Sequence, residues 1–216
     1  MSDFACARRE MIDCQIRPAD VTKYSILRAL SQVPREKFVP KQLQSVAYSG
    51  TNLCIGPGRY LLEPRIFAKM LSVLNVTSKD LVLDIAPGLG YSSAVLAGLA
   101  EAVIGIETPY FADQAQEILS NESIDNAVVY EGKLADGLNS QGPFDALIIQ
   151  GGVEELPTQL ESQVKLGGRI VALFIDGVRA ECWRGLRTIH GIDWNFSFNA
   201  SVPVLKEFSK EQEFVF

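Results

Sequence analysis

The stretch Leu81-Val82-Leu83-Asp84-Ile85-Ala86-Pro87-Gly88-Leu89-Gly90-Tyr91 decides how this chain is read. Leu81 to Ile85 is a short apolar run, the pattern of a buried parallel strand. It enters a glycine turn, and the small-residue segment from Tyr91 to Ala100 then reads as a helix. Gly88 and Gly90 can take backbone angles closed to other residues and let a ligand approach the main chain. The helix start presents free N–H groups to an anionic or carboxylate-bearing ligand. A G-x-G by itself is weak evidence, because such loops also arise for structural reasons.

Working outward, strand and helix alternate. Ala102 to Glu107 reads as a strand, Tyr110 to Ser120 as a helix, and Ala127 to Tyr130 as a strand. Phe144 to Gln150 is a fourth strand, Glu154 to Val164 a helix, and Arg169 to Ile175 a fifth strand. This spacing predicts an α/β fold with a mostly parallel, doubly wound, Rossmann-like sheet. Cys182 to Ile189 and Trp194 to Ala200 resemble strands with no helix between them, which predicts a C-terminal antiparallel pair on the sheet edge. Upstream, Phe4 to Ile16 reads as a helix stopped by Arg17-Pro18, and Asp20 as the N-cap of a helix through about Gln32. Lys41 to Ala47 predicts a short helix, Gly50 to Gly58 a loop, Tyr60 to Leu62 an extended piece, and Pro64 the first turn of a helix to about Leu74. The expectation is one domain, with residues 1–75 as an N-terminal helical addition and 76–216 as the α/β core.

Composition narrows the function classes. With 216 residues, 47% of them hydrophobic, the chain can bury a substantial core. A net charge of -6 disfavours general nucleic-acid binding, which depends on Lys and Arg neutralising phosphates. The apolar stretch Ser93 to Ile106 is interrupted by Glu101, and Arg169 to Val178 falls short of the ~20 residues a bilayer span needs. Asp3, Arg8, Arg9 and Glu10 precede any apolar run, so no secretory signal is expected and the cytoplasm is the default compartment. Cys6, Cys14, Cys54 and Cys182 form no C-x-x-C pair, which favours buried reduced thiols over a metal site. The lone histidine, His190, falls in the terminal strand pair and reads as an exposed or satisfied residue rather than a catalyst. No apolar stripe stands out, which favours a monomer.

Two acids give the glycine loop a chemical meaning. Glu107 closes the second strand about 20 residues past the glycines, where nucleotide-binding folds place a carboxylate on ribose hydroxyls. Asp84, directly before the loop, would repel a pyrophosphate but can receive the ammonium of a methionyl group, directly or through water. Ser93 fits imperfectly as the third small residue of a dinucleotide fingerprint. The balance favours S-adenosylmethionine, with a satisfied strand-end carboxylate as the alternative role of Asp84.

With these residues in view, Asp84-Ile85-Ala86-Pro87-Gly88-Leu89-Gly90-Tyr91-Ser92-Ser93-Ala94-Val95-Leu96-Ala97 resembles the first cofactor motif of protein-L-isoaspartate O-methyltransferases, close to D/E-I-G-T-G-S-G-Y-x-(A/T)-A-x-L-A. Gly142 to Ile148 is similar to that family's A-P-Y-D-A-I, Leu156 to Leu160 to I-P-x-x-L, and Gln163 to Val171 to Q-L-K-x-G-G-R-L-V. Upstream, Val33-Pro34-Arg35-Glu36-Lys37-Phe38-Val39-Pro40 and Ala47-Tyr48 match V-P-R-x-x-F-V-P and A-Y. The resemblance spans roughly residues 10 to 205 in family order. It implies the S-adenosylmethionine-dependent methyltransferase fold, and methyl transfer to the carboxylate of isoaspartyl residues in damaged proteins. It implies cofactor contacts at Asp84, Ala86, Gly88, Gly90, Tyr91, Glu107 and the Gly132-Lys133-Leu134 segment.

The chain departs from the family at three places. Ala86 replaces the first loop glycine, and Lys133 stands where G-D-G carries its acid. On the substrate side, G-x-G-Q-T-I-S-Q-P becomes Gly56-Pro57-Gly58-Arg59-Tyr60-Leu61-Leu62-Glu63-Pro64, which removes the hydroxyls. Arg59 and Tyr60 are the candidate catalytic replacements. Arg59 either clamps a carboxylate or pairs with Glu63 or another acid, and Tyr60 either replaces the lost hydroxyl or packs. The expected partner is an isoaspartyl peptide or protein, or a small-molecule acceptor. The alternatives are a methyltransferase with another acceptor, a noncatalytic cofactor-binding or scaffold protein and, more distantly, a nicotinamide dehydrogenase.

Overall fold

The computed structural model describes residues 3–177 and 179–210. Helix α1 (Phe4–Met11) is capped by the Asp3 side chain, which accepts from the Cys6 amide. It runs through a π-helical turn (Ile12–Ile16) into a 3₁₀ turn (Arg17–Ala19). Asp20 closes that turn in the left-handed conformation, φ 64°, and does not cap the next helix, contrary to expectation. Helix α2 (Tyr24–Gln32) starts after Lys23 without a side-chain cap, and Lys41–Val46 tightens into a 3₁₀ turn.

The segment expected as loop contains strand β1 (Leu53–Gly56), which pairs antiparallel with β2 (Arg59–Leu61). Helix α3 (Pro64–Leu74) has the expected bounds. The core then runs β3 (Leu81–Ile85), α4 (Tyr91–Ala97), β4 (Ala102–Glu107), α5 (Pro109–Asn121) and β5 (Ala127–Glu131). It continues with β6 (Phe144–Val153), α6 (Thr158–Ser162), β7 (Val164–Asp176), β8 (Arg179–Thr188) and β9 (Gly191–Ala200). Helix α6 is shorter than the expected Glu154 to Val164 because residues 154–157 bend without helix up to the Pro157 N-cap and β7 already begins at Val164.

The large sheet has the order β5-β4-β3-β6-β7-β8-β9. The pairs β4–β5, β3–β4, β3–β6 and β6–β7 are parallel, while β7–β8 and β8–β9 are antiparallel, so the expected edge pair is present. Alternate residues of each strand feed opposite cores, as a pleat requires. Val82, Val103, Ile148 and Val171 face a cluster that also holds Met11, Ile26, Phe38, Phe67 and Tyr91. Leu83, Ile85, Ile106, Leu147 and Ile170 face the other, with Leu160, Leu205 and Phe208.

Strand order reverses between β3 and β6, and such a switch point opens a crevice at the carboxyl ends of the strands. The β6–β7 register shifts between Ile148 and Gly152, a bulge that bends β6 at this mouth. After β9 the chain returns to the same place. Gly152 donates to the Pro203 carbonyl at 2.9 Å, and the Leu205 amide donates back to Gly152 at 2.9 Å. The approach is close enough that a Cβ on Gly151 would lie 2.6 Å from Leu205 Cγ. This contact delivers a 3₁₀ turn, Lys206–Phe208, to the mouth.

Among the described residues no helix is long and apolar enough to cross a membrane, and no His/Cys/Asp/Glu group is placed to hold a metal. Of the cysteines, only Cys182 is fully buried, and burial pushes its thiol up to about 12; Cys14 and Cys54 are exposed, contrary to expectation. His190 is exposed at the β8–β9 turn.

Candidate functional site

The glycine loop sits at the carboxyl end of β3 with three left-handed residues, Ala86 (φ 61°), Gly88 (φ 60°) and Gly90 (φ 93°). Ala86 holds that conformation while its amide donates to the Ile106 carbonyl at 3.1 Å. At Gly88 a side chain would be strained by the left-handed backbone, and its Cβ, 2.5 Å from Ile55 Cδ1, would push that methyl aside. Ile55 belongs to β1, so the small hairpin lies directly over the loop.

Asp84 is fully buried. Ser92 Oγ and Ser93 Oγ donate to its Oδ2 at 2.6 and 2.8 Å, and Gln150 Nε2 donates to its Oδ1 at 2.8 Å. Burial pushes the carboxyl up to about 6, and the hydrogen bonds from Ser92, Gln150 and Ser93 pull it the other way. Ser92 and Gln150 stand between Asp84 and a small cavity of about 10 Å³, whose wall also includes Arg35, Tyr60, Leu62 and Tyr91. Asp84 therefore acts on that cavity through Ser92 and Gln150. Gln150 escaped the sequence reading; its signal was a lone amide closing an apolar strand.

Arg35 is fully buried. Its Nε donates to the Ala47 carbonyl and its Nη2 to the Leu62 carbonyl, both at 2.6 Å, while Nη1 has no hydrogen-bond partner. The guanidinium lies 4.9 Å from the centre of the Tyr91 ring, and burial holds its pKa below the usual value. Tyr91 is wedged between Phe38 and Phe67, with ring centroids 5.8 and 5.7 Å away. The V-P-R and A-Y segments are thus tied to each other. The tie continues outward, since Tyr48 donates its hydroxyl to Glu36 and accepts from Arg8 Nε at 2.8 Å.

Glu107 ends β4 fully buried. Its Oε1 accepts from Arg59 Nε at 2.8 Å and from the Gly88 amide at 3.0 Å. Its Oε2 accepts from the Thr108 amide at 2.6 Å and the Thr108 hydroxyl at 3.3 Å. Burial pushes Glu107 upward even against the charge of Arg59. Arg59 is 2% exposed; its Nη2 and Nη1 donate to Glu207 at 2.7 and 3.3 Å. Glu63 instead takes Arg65 at 2.7 Å, so Arg59 pairs with acids other than its sequence neighbour. Glu207 carries no sequence signal, because only the returning C-terminal segment brings it here.

Beside Glu107 lies a cavity of about 440 Å³ lined by Thr108, Pro109, Glu131, Gly132, Lys133, Leu134, Ala135 and Glu207. Gly132 N donates to the Glu107 carbonyl at 2.8 Å, which fixes this wall to β4. Leu134 is buried and Lys133 exposed. The donor set fits a nucleoside cofactor: a buried strand-end carboxylate, a glycine loop and an adjoining cavity of the right scale for an adenine.

Two comparisons of structure define the class. A solved protein-L-isoaspartate O-methyltransferase superposes with a TM-score of 0.80 at 20% identity, covering 93% of this chain and 67% of that one. The Plasmodium falciparum beta-aspartate methyltransferase (PCMT), crystallised with S-adenosyl-L-homocysteine, gives 0.78 at 18% identity over 96% of this chain and all of that one. The fold is thus the Rossmann-like fold of methyltransferases. Sequence comparison is more specific: the family model for protein-L-isoaspartate(D-aspartate) O-methyltransferase (PCMT) matches residues 7–177. The protein-L-isoaspartate O-methyltransferase of Methanoculleus marisnigri is 38% identical over 76% of each chain. Protein-L-isoaspartate O-methyltransferase 1 of Rhodopseudomonas palustris is 36% identical over 79% of this chain and 70% of its own. The chain belongs to the protein-L-isoaspartate O-methyltransferase family.

Proposed function

We propose that this chain transfers a methyl group from S-adenosylmethionine to the carboxylate of L-isoaspartyl residues in proteins. The observation that carries the proposal is the family match over residues 7–177, which includes both the glycine loop and Glu107 at the carboxyl end of β4. When bound, S-adenosylmethionine supplies a methyl group on a sulfonium, an electrophile that needs only an aligned nucleophile.

The residues divide the work by position. Glu107 is placed for ribose hydroxyls, the Gly88–Tyr91 turn for close main-chain approach, and the wall from Gly132 to Leu134 for the adenine side. Asp84, behind Ser92 and Gln150, gives the carboxyl end of β3 a negative charge suited to a methionyl ammonium. An acceptor carboxylate with a pKa near ~4 is ionised at neutral pH, so no strong general base is required. Arg35 meets it with a buried guanidinium that pairs with no carboxylate among the described residues and keeps one nitrogen unpartnered. Such a cation favours an anionic acceptor. Exclusion of water by Leu62, Tyr60 and Phe67 then leaves alignment and desolvation as the catalytic task.

The test is methyl transfer from labelled S-adenosylmethionine to an isoaspartyl peptide, beside its aspartyl counterpart. Selective labelling of the isoaspartyl peptide is expected; none, from folded protein, overturns the acceptor. A second reading, a different carboxylate or small acceptor, is favoured by buried Leu62 where the family carries a hydroxyl and by the 10 Å³ cavity around it. Labelling of another acceptor, with the isoaspartyl peptide unlabelled, selects it.

A further inference from the structure

We propose that Arg59 is a built-in occupant of the ribose position, so that a nucleoside binds Glu107 only after Arg59 leaves it, and that residue 59 thereby sets the affinity of this chain for its cofactor. The proposal rests on the cofactor reading above. It begins from the capacity of one carboxylate. An ionised Glu offers about four lone-pair sites. Those of Glu107 receive Arg59 Nε, the Gly88 amide, the Thr108 amide and the Thr108 hydroxyl. No site remains for the hydroxyls of a ribose. The two amides belong to the loop and strand that form the nucleoside site, so they stay. Of the two side-chain donors, the Thr108 hydroxyl makes only a long contact at 3.3 Å and can rotate aside, so Arg59, at 2.8 Å and charged, is the donor whose departure opens the carboxylate.

Its mounting makes departure feasible. Arg59 sits on the two-stranded hairpin of β1 and β2, with Pro57 and Gly58 at the tip. A hairpin this small has little stability of its own. The same hairpin puts Ile55 over Gly88 and sets Gly56 so close to α5 that a Cβ there would lie 2.7 Å from Phe111 Cζ. Leu53, Ile55 and Leu61 anchor the hairpin in the core, so the movement that clears the carboxylate is one of the Arg59 side chain and the exposed tip at Pro57 and Gly58. The charge of Arg59 is not stranded by the move, because Glu207 faces solvent and already holds two of its nitrogens at 2.7 and 3.3 Å. Glu207 lies beyond residues 7–177, the part of the chain that the family model covers. At the position of Arg59 the related motif G-x-G-Q-T-I-S-Q-P carries an uncharged Gln, which cannot make this ion pair.

The experiment is titration calorimetry of the full chain with S-adenosyl-L-homocysteine. It compares the native protein with Arg59→Gln and with Arg59→Met, which keeps an apolar stem near the Phe111 ring; near-UV circular dichroism checks that each is folded. Both variants are expected to bind at least tenfold more tightly than the native chain. Equal or weaker binding by the folded variants overturns the proposal while leaving the cofactor reading intact. Absence of binding by all three folded proteins overturns the cofactor reading, and this proposal with it. If only one variant folds, its affinity alone decides by the same criterion.

Discussion

Asp84 is an ionisable group held where water does not reach, and its pH dependence is open to measurement. Its folded carboxyl titrates at about 6, above the ordinary value near ~3.9. Between those values the folded state binds the proton more strongly than the unfolded state. Stability contributed at this site therefore falls as pH rises from about 4 to about 6, by up to about 3 kcal/mol, and stays low above that window. Asp84→Asn removes the titration whatever it does to the hydrogen bonds. In urea denaturation, the stability of the native chain relative to this variant should be greater at pH 4.5 than at pH 7.5; a difference that does not change with pH would sink the idea. Ala86 makes a second case. A left-handed alanine costs about 1–2 kcal/mol, while glycine loses about 0.5–1 kcal/mol of chain entropy in return. Ala86→Gly is expected to raise the melting temperature by about 2 °C, and a lowered value would show that the Ala86 methyl has a packing role that outweighs the strain.

At the scale of elements, the parts readable from sequence were those with a strong pattern. Strand β3, strand β4 and helix α3 have the expected bounds, because each is an apolar run or amphipathic stretch bounded by Gly, Pro or an acid. Strand β1 reads as loop and β2 only as an isolated extended piece, since Gly56, Pro57 and Gly58 mask so short a pairing. The extension of β6 to Val153 was also hidden: Gly151 and Gly152 look like breakers, yet they are small so that the returning segment can lie against them. A Cβ at Gly152 would come within 2.2 Å of Ile175 Cδ1 and 3.0 Å of the Pro203 carbonyl. Gly152→Val should therefore destabilise the chain by about 1–3 kcal/mol and detach the turn that carries Glu207. Hydrogen exchange would report this as faster exchange at the Leu205 and Phe208 amides, and unchanged protection there would refute it.

At the scale of the whole molecule, the N-terminal addition and the α/β core share one hydrophobic cluster that runs from Met11 to Phe198. Tyr91, on the loop-following helix, is the joint, with Phe38 and Phe67 on either side and the guanidinium of Arg35 at its face. Truncating Phe38 to alanine is expected to cost about 3–5 kcal/mol, a large part of the ~5–15 kcal/mol that a typical protein commands. Because the cluster is shared, tryptophan fluorescence and far-UV circular dichroism should still follow a single transition. Two separated transitions would show that the addition folds independently of the sheet.

The sequence by itself determined the α/β alternation, the antiparallel edge, the glycine loop with its two acids and the family, because all of these are written in local periodicity or in short contiguous motifs. What surrounds those acids was decided only by the tertiary structure. Asp84 meets Gln150 from a neighbouring strand, Arg35 keeps only its Nη1 unpartnered on the wall of the small cavity, and Glu107 is held by Arg59 and, through it, by Glu207. These partners come from segments far apart in the chain, and no local pattern encodes a meeting that depends on strand order, on a bulge in β6 and on where the last segment returns.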